Sequence, residues 1–149
     1  GTFSPFNAQA TFWFQRSFLT MLLPTSVHGR VADILRSYAA QAVLWEADLR
    51  VAFVQPQVEV TERNPHSLLA DFQAEYPLYY TVPALLRALS DKRRDFRGRA
   101  LQEAFFEMYV YLYEYGFVES RDVLLARAWV EDVARLEALR GSAPPSPGA

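Results

Sequence analysis

From residue 66 to residue 140 the apolar side chains of this chain return every three or four positions, and that spacing restricts the second half to helices. The stretches ERNPHSLLADFQAEY, TVPALLRALS, RALQEAFFEMYVYLYEY and SRDVLLARAWVEDVARLEALR all carry it. A period near 3.6 puts one apolar stripe on a helix, whereas the same residues laid out as strands would scatter over both faces of a sheet. The spacing predicts helices over 66–75, 81–90, 99–115 and 121–140. Gly116 stands between the last two as a left-handed helix stop, with Phe117 placed for the apolar contact that accompanies such a stop. Leu101, Phe105, Met108 and Leu112 share one face, so most of the aromatic run FFEMYVYLYEYGF reads as core, with some tyrosines left at a rim.

The first half reads differently. ATFWFQ is aromatic and β-prone, which predicts a strand near 10–15, followed by a short helical piece over SFLTMLL that ends at Pro24 and a loop, TSVHG. Between Ala32 and Glu46, Ile34, Tyr38, Ala42 and Trp45 recur at helical spacing while Asp33, Ser37 and Gln41 fall four apart on another face. RVAFVQPQVEV is β-branched and broken by Pro56, which predicts strands near 51–54 and 57–60 with the proline at an edge or bend. The expected fold class is therefore α/β: few short strands followed by a helical bundle. Such a thin sheet has an exposed edge, and the expectation is that partner strands lie upstream. Residues 1–140 read as one domain portion, and 141–149, GSAPPSPGA, as a Pro-rich disordered tail.

Composition removes several classes of function. With 51% hydrophobic residues the chain can bury a core, and 15 Lys and Arg against 17 Asp and Glu give a net charge of -2, which provides no pull toward nucleic acid. There is no cysteine, so thiolate catalysis and Cys-ligated zinc are excluded. The most apolar early run, FWFQRSFLTMLL, is interrupted by Gln15 and Arg16 and is too short to insert in a bilayer.

The residues that could do chemistry gather at the start of the Ala32–Glu46 helix. Asp33 could serve there as a simple helix-start carboxylate accepting backbone N–H groups. Its company suggests more: Gly29 permits close backbone approach, His28 and Arg30 supply a titratable ring and a fixed cation, and Ser37 and Gln41 extend a polar stripe. A carboxylate at a helix mouth among such groups suits a general base acting on a sugar hydroxyl. Arg30 or Arg36 could orient a phosphate or an acceptor, and Arg63 could reach a diphosphate, since a guanidinium grips paired oxygens in a fork. The alternative for Arg63 is a solvated side chain beside the Asn64-Pro65 turn. Asn7 and Gln9 could bind a sugar hydroxyl, or be ordinary turn residues. His28 and His66 are the two histidines; the metal ligands stay undetermined, and His66 reads as a surface or cap residue. Five basic and two acidic side chains in DKRRDFRGR, 91–99, read as a solvated helix junction.

At these residues the chain resembles a known family. GRVADILRSYAAQAVLW, with PFNAQATFW and LLPTSV before it, looks like the C-terminal half of the glycosyltransferase-like domain of STELLO proteins, and more distantly like the reversibly glycosylated polypeptide (UDP-arabinopyranose mutase) family. The likeness runs from about Phe6 to about Leu136 and is longest at Gly29–Tyr38. It implies the acceptor-side half of a GT-A-like nucleotide-sugar fold, with Asp33 as acceptor base. An Asp-x-Asp motif holding Mn²⁺ or Mg²⁺ would lie upstream, since none occurs here. Asp33 matches the second acid of the mutase-like Gly-Arg-x-Asp-Asp segment, whose first acid is Ala32 in this chain. QAVLW, 41–45, is superficially similar to the Gln-x-x-Arg-Trp box of polysaccharide synthases, with Leu44 at the arginine position. The resemblance implies a nucleotide-sugar donor, a glycan or small-molecule acceptor and a Golgi or other endomembrane setting. It implies equally a second role, as a non-catalytic partner of polysaccharide-synthesis proteins.

Overall fold

A computed structural model of the chain describes residues 2–62, 65 and 67–141. The sequence readings at Arg63, Asn64 and His66, and most of the Pro-rich tail, lie outside the described residues.

Among those residues there is no β-strand, which overturns the α/β, GT-A-like expectation. Four α-helices are present: α1 (Gly29–Glu46), α2 (Leu68–Lys92), α3 (Leu101–Glu114) and α4 (Ser120–Gly141). Two 3₁₀ turns, Gln15–Met21 and Arg93–Phe96, complete the described regular structure. The segments expected to pair, 10–15 and 51–60, carry β-favouring side chains but meet no partner backbone. Strand propensity describes fit to a sheet surface and creates none by itself. Phe12, Phe14, Phe53, Val54, Val58 and Val60 consequently stay exposed.

The centre of the molecule is α1. It packs against α2, α3 and both 3₁₀ turns, while α3 packs on α4. Because neighbours surround it, its polar Arg36, Ser37 and Gln41 are buried along with Leu35, Ala39, Ala42 and Val43. Phe96, Leu85, Leu89, Met108 and Leu112 close the same core, and Phe105, Met108 and Leu112 lie on the α3 face that the spacing marks as apolar.

α2 runs through Pro77 and Pro83, where the sequence suggests two helices, 66–75 and 81–90. A proline leaves the carbonyl four residues earlier without its helical donor. Here those carbonyls belong to Gln73 and Tyr79, both exposed to water, so continuity is cheap. The buried residues of this helix, Leu85, Ala88 and Leu89, all follow the second proline.

Two helix ends share one geometry. Gly116, at φ 73°, donates its N–H to the Tyr113 carbonyl at 2.9 Å while Phe117 donates to Leu112 at 2.8 Å, the paired bonds of a left-handed helix stop. At the end of α1 the same pair runs from Asp48 to Trp45 at 3.2 Å and from Leu49 to Leu44 at 2.8 Å. There the left-handed position, φ 57°, is held by an aspartate. A side chain in that region is strained and glycine is not. Asp48→Gly is expected to stabilise the fold by about 0.5–1 kcal/mol, read as a higher urea midpoint with an unchanged slope.

The basic stretch 91–99 is a junction tied by ion pairs. Arg93 and Arg97 reach the Glu46 carboxylate at the end of α1 at 3.7 and 3.4 Å, Lys92 meets Asp95 at 3.1 Å, and Arg99 meets Glu107.

Candidate functional site

Asp33, Ser37 and Gln41 form a polar ladder on α1, and an extended N-terminal arm lies along it. The Ser4 N–H donates to Gln41 Oε1 at 3.0 Å, Phe6 N–H to Ser37 Oγ at 3.2 Å and Ala8 N–H to Asp33 Oδ2 at 2.9 Å. Gln41 Nε2 returns a bond to the Ser4 carbonyl at 2.8 Å. The match has a simple origin. Alternate residues of an extended chain advance about 6.6 Å, and every fourth residue of a helix advances about 6 Å. Side chains of one helix face thus take the N–H groups that a neighbouring strand would otherwise take. Phe3 seals the far end of the arm, with its ring 4.5 Å from that of Trp45.

Asp33 is therefore not the helix cap. That role falls to His28, whose Nδ1 accepts the Arg30 N–H at 3.2 Å. Arg30 is ion-paired across to α2, with Asp71 at 2.5 Å and Glu75 at 3.6 Å.

Arg36 is placed unusually. It is 4% exposed, and only its Nη1 finds an acceptor, the Met21 carbonyl at 3.4 Å; Nε and Nη2 have no hydrogen-bond partner among the described residues. Its guanidinium carbon lies 4.7 Å from the Trp13 ring centre and 5.6 Å from that of Phe6. Such contacts are worth about 0.5–2 kcal/mol each, less than the several kcal/mol that burying a cation costs. Burial accordingly lowers the Arg36 pKa from its ordinary value, while Asp33 and Tyr109 act in the opposite direction.

A second polar cluster lies on the other side of Tyr109. Asp122, in the first turn of α4, is fully buried and accepts four hydrogen bonds: from Thr25 N–H at 2.6 Å, Thr25 Oγ1 at 2.8 Å, Ser26 N–H at 3.1 Å and Ser26 Oγ. Burial pushes its carboxyl up, but these bonds, led by the Ser26 hydroxyl, outweigh it and hold the group below the usual carboxylate range. Ser26 Oγ also accepts the Glu119 N–H at 2.9 Å, so the loop before α1 is clipped to the start of α4. Tyr109 donates to the Leu22 carbonyl at 3.0 Å, and burial, with the charge of Asp122 adding, raises its phenol well above the ordinary value. Trp129 Nε1 donates to the Leu19 carbonyl at 2.8 Å. Side chains of α1, α3 and α4 thus take carbonyls at the end of the first 3₁₀ turn, which a helix end leaves unpaired.

An open cleft of about 1870 Å³ lies between the arm, the start of α1, the extended residues 49–58 and α2. Asn7, Gln9, Gly29, Arg30 and Asp33 line it. His28 is exposed at the helix start, whereas Ser37 and Arg36 are buried behind the arm. The cleft thus brings together five of the residues singled out in sequence. A smaller cleft of about 530 Å³, between α2 and the end of α3, is lined by none of the candidate site residues. Sequence reasoning misses the Thr25, Ser26 and Asp122 clip, whose members lie almost a hundred positions apart. The only local sign is a loop of hydroxyl residues and an acid in a helix's first turn.

Two proteins of Arabidopsis thaliana match over 89% of this chain. "Probable glycosyltransferase STELLO2" is 29% identical over 137 residues and "Probable glycosyltransferase STELLO1" 28% identical over 133. The chain is STELLO-like. It spans 17% of the length of these curated relatives. The matches carry the STELLO likeness and carry nothing for the mutase likeness. No protein-family model and no solved structure matches the STELLO-like chain.

Proposed function

We propose that this chain is the acceptor-side portion of a glycosyltransferase that moves a sugar from a nucleotide-sugar donor to a glycan or small-molecule acceptor. The observation that carries the reading is the cleft, where Asp33, Asn7, Gln9 and Arg30 line one opening in a chain similar to two proteins named as probable glycosyltransferases. In this reading Asp33 takes the proton of the attacking hydroxyl. Asn7 and Gln9 bind neighbouring hydroxyls, and Gly29 lets the acceptor approach the backbone. Arg30 serves through its charge at the rim. A Golgi setting and a part in polysaccharide synthesis belong to the same proposal.

The described residues bring no group of three or more His, Asp or Glu side chains together. In this proposal a Mn²⁺ or Mg²⁺ ion is held by an upstream Asp-x-Asp motif, a motif that this sequence does not contain. No helix among the described residues is long and apolar enough to cross a membrane.

The second reading is a non-catalytic module that binds polysaccharide-synthesis proteins. It is favoured by the bond from Ala8 N–H to Asp33 Oδ2, which gives that carboxylate an architectural use, and by the exposed Phe53, Val54, Val58 and Val60. Sugar transfer by the complete protein, measured with and without Asp33→Asn, decides between them. A large loss of rate in a folded variant supports the enzyme with Asp33 as base, an unchanged rate removes Asp33 from the chemistry, and no transfer by the wild type supports the non-catalytic module.

A further inference from the structure

The geometry points to Arg36 as a covered oxyanion site, closed by the N-terminal arm and suited to the diphosphate of a nucleotide sugar. This deepens the glycosyltransferase reading and rests on it for the identity of the ligand.

The two guanidinium nitrogens without partners, Nε and Nη2, belong to one edge of the planar group. That edge presents two parallel N–H donors, the fork that pairs with two oxygens of a phosphate. Burial strengthens such a pairing, because water no longer competes. The other candidate cation is already engaged: Arg30 spans to Asp71 and Glu75 of α2, where it ties two helices together. Arg36 is the arginine of the pair whose fork is unclaimed by described residues.

The cover over it is built to open. Phe6 belongs to the arm and Trp13 to the stretch between it and the first 3₁₀ turn; their rings lie 5.6 and 4.7 Å from the guanidinium, and both residues line the large cleft. The arm has no strand or helix pairing of its own across 2–8 and is held by the Asp33, Ser37 and Gln41 ladder and by the Phe3 ring against Trp45. Lifting it breaks a few side-chain bonds and brings Arg36 to the cleft wall. A diphosphate that displaces the two rings exchanges cation–π contact for charge-paired hydrogen bonds. Asp33, one turn earlier, acts on the Arg36 pKa against the lowering caused by burial.

Inorganic pyrophosphate titrated into the full chain, followed by calorimetry and by the indole resonance of Trp13, tests this. Saturable binding is expected, with the Trp13 signal moving as its ring leaves Arg36, and with inorganic phosphate weaker than pyrophosphate. Arg36→Met should abolish binding without lowering the unfolding midpoint, since it replaces an unpaired buried cation by an apolar chain of similar length. Arg36→Lys, which keeps charge and loses the fork, should weaken binding at least about tenfold. Gln41→Ala should tighten it, because a looser arm populates the open state more often. Should Arg36→Met fail to fold, the lysine and alanine variants still decide. Absence of pyrophosphate binding, equal affinity for phosphate, or binding untouched by Arg36→Lys each overturns the inference. If transfer by the complete protein depends on Asp33 while pyrophosphate does not bind, this site fails and the enzyme reading stands. Binding without any transfer leaves the oxyanion site in place and removes the enzyme.

Discussion

Asp122→Ala is expected to destabilise the fold by about 3–5 kcal/mol, the cost of removing one side of a buried, charge-assisted cluster. Four donors on Thr25 and Ser26 converge on that carboxylate, and truncation leaves the two backbone N–H groups among them without an acceptor. Asp122→Asn, which keeps an acceptor oxygen but loses the charge, should cost less. The pH dependence has a defined sign. The folded carboxyl lies below the ordinary value, so its contribution is complete above the unfolded pKa, about 3.9, and is lost as pH falls through the folded value. Urea unfolding between pH 3 and pH 6 should show stability falling toward the acid end, with a shallower fall in Asp122→Asn. A loss below about 1 kcal/mol for Asp122→Ala would mean that water replaces the carboxylate at the clip.

The other large effect concerns Asp33. If its carboxylate accepts the proton of the attacking hydroxyl, Asp33→Asn should lower transfer by the complete protein about 10²–10⁴-fold, the usual contribution of a general base. The same substitution leaves an amide oxygen able to accept the Ala8 N–H, so the arm stays seated and the unfolding midpoint should move little. Asp33→Ala separates the two roles: it removes the base and the arm's tie together, and should lose both rate and some stability. Equal rates for the wild type and Asp33→Asn would leave the residue as architecture alone.

Helices were legible where one face stays in contact with a core along the whole element. The α3 stripe of Phe105, Met108 and Leu112 and the Gly116 stop are local patterns, and the fold keeps both. α2 shows where local reasoning stops. Prolines suggest two helices, yet the carbonyls they orphan belong to exposed residues, and exposure is a property of the assembled molecule. The strands failed for the same kind of reason. ATFWFQ and RVAFVQPQVEV have the side chains of strands, but a strand exists only beside another backbone.

The polar stripe of Asp33, Ser37 and Gln41 was visible as a spacing of four, and with it the neighbourhood of the candidate site. Its use was not visible, since residues 4, 6 and 8 look like an ordinary extended run and nothing in them names α1 as the surface they will lie on. By itself the sequence determined the helical second half, the capping geometry at Gly116 and the polar face of α1, all set by interactions within a few positions. Only the tertiary structure decided that no sheet forms among the described residues, that Arg36 is buried under two aromatic rings, and that Asp122 closes a clip on Thr25 and Ser26. Those features depend on contacts between distant segments, whose free energy comes from burial and desolvation that no short stretch of chain contains.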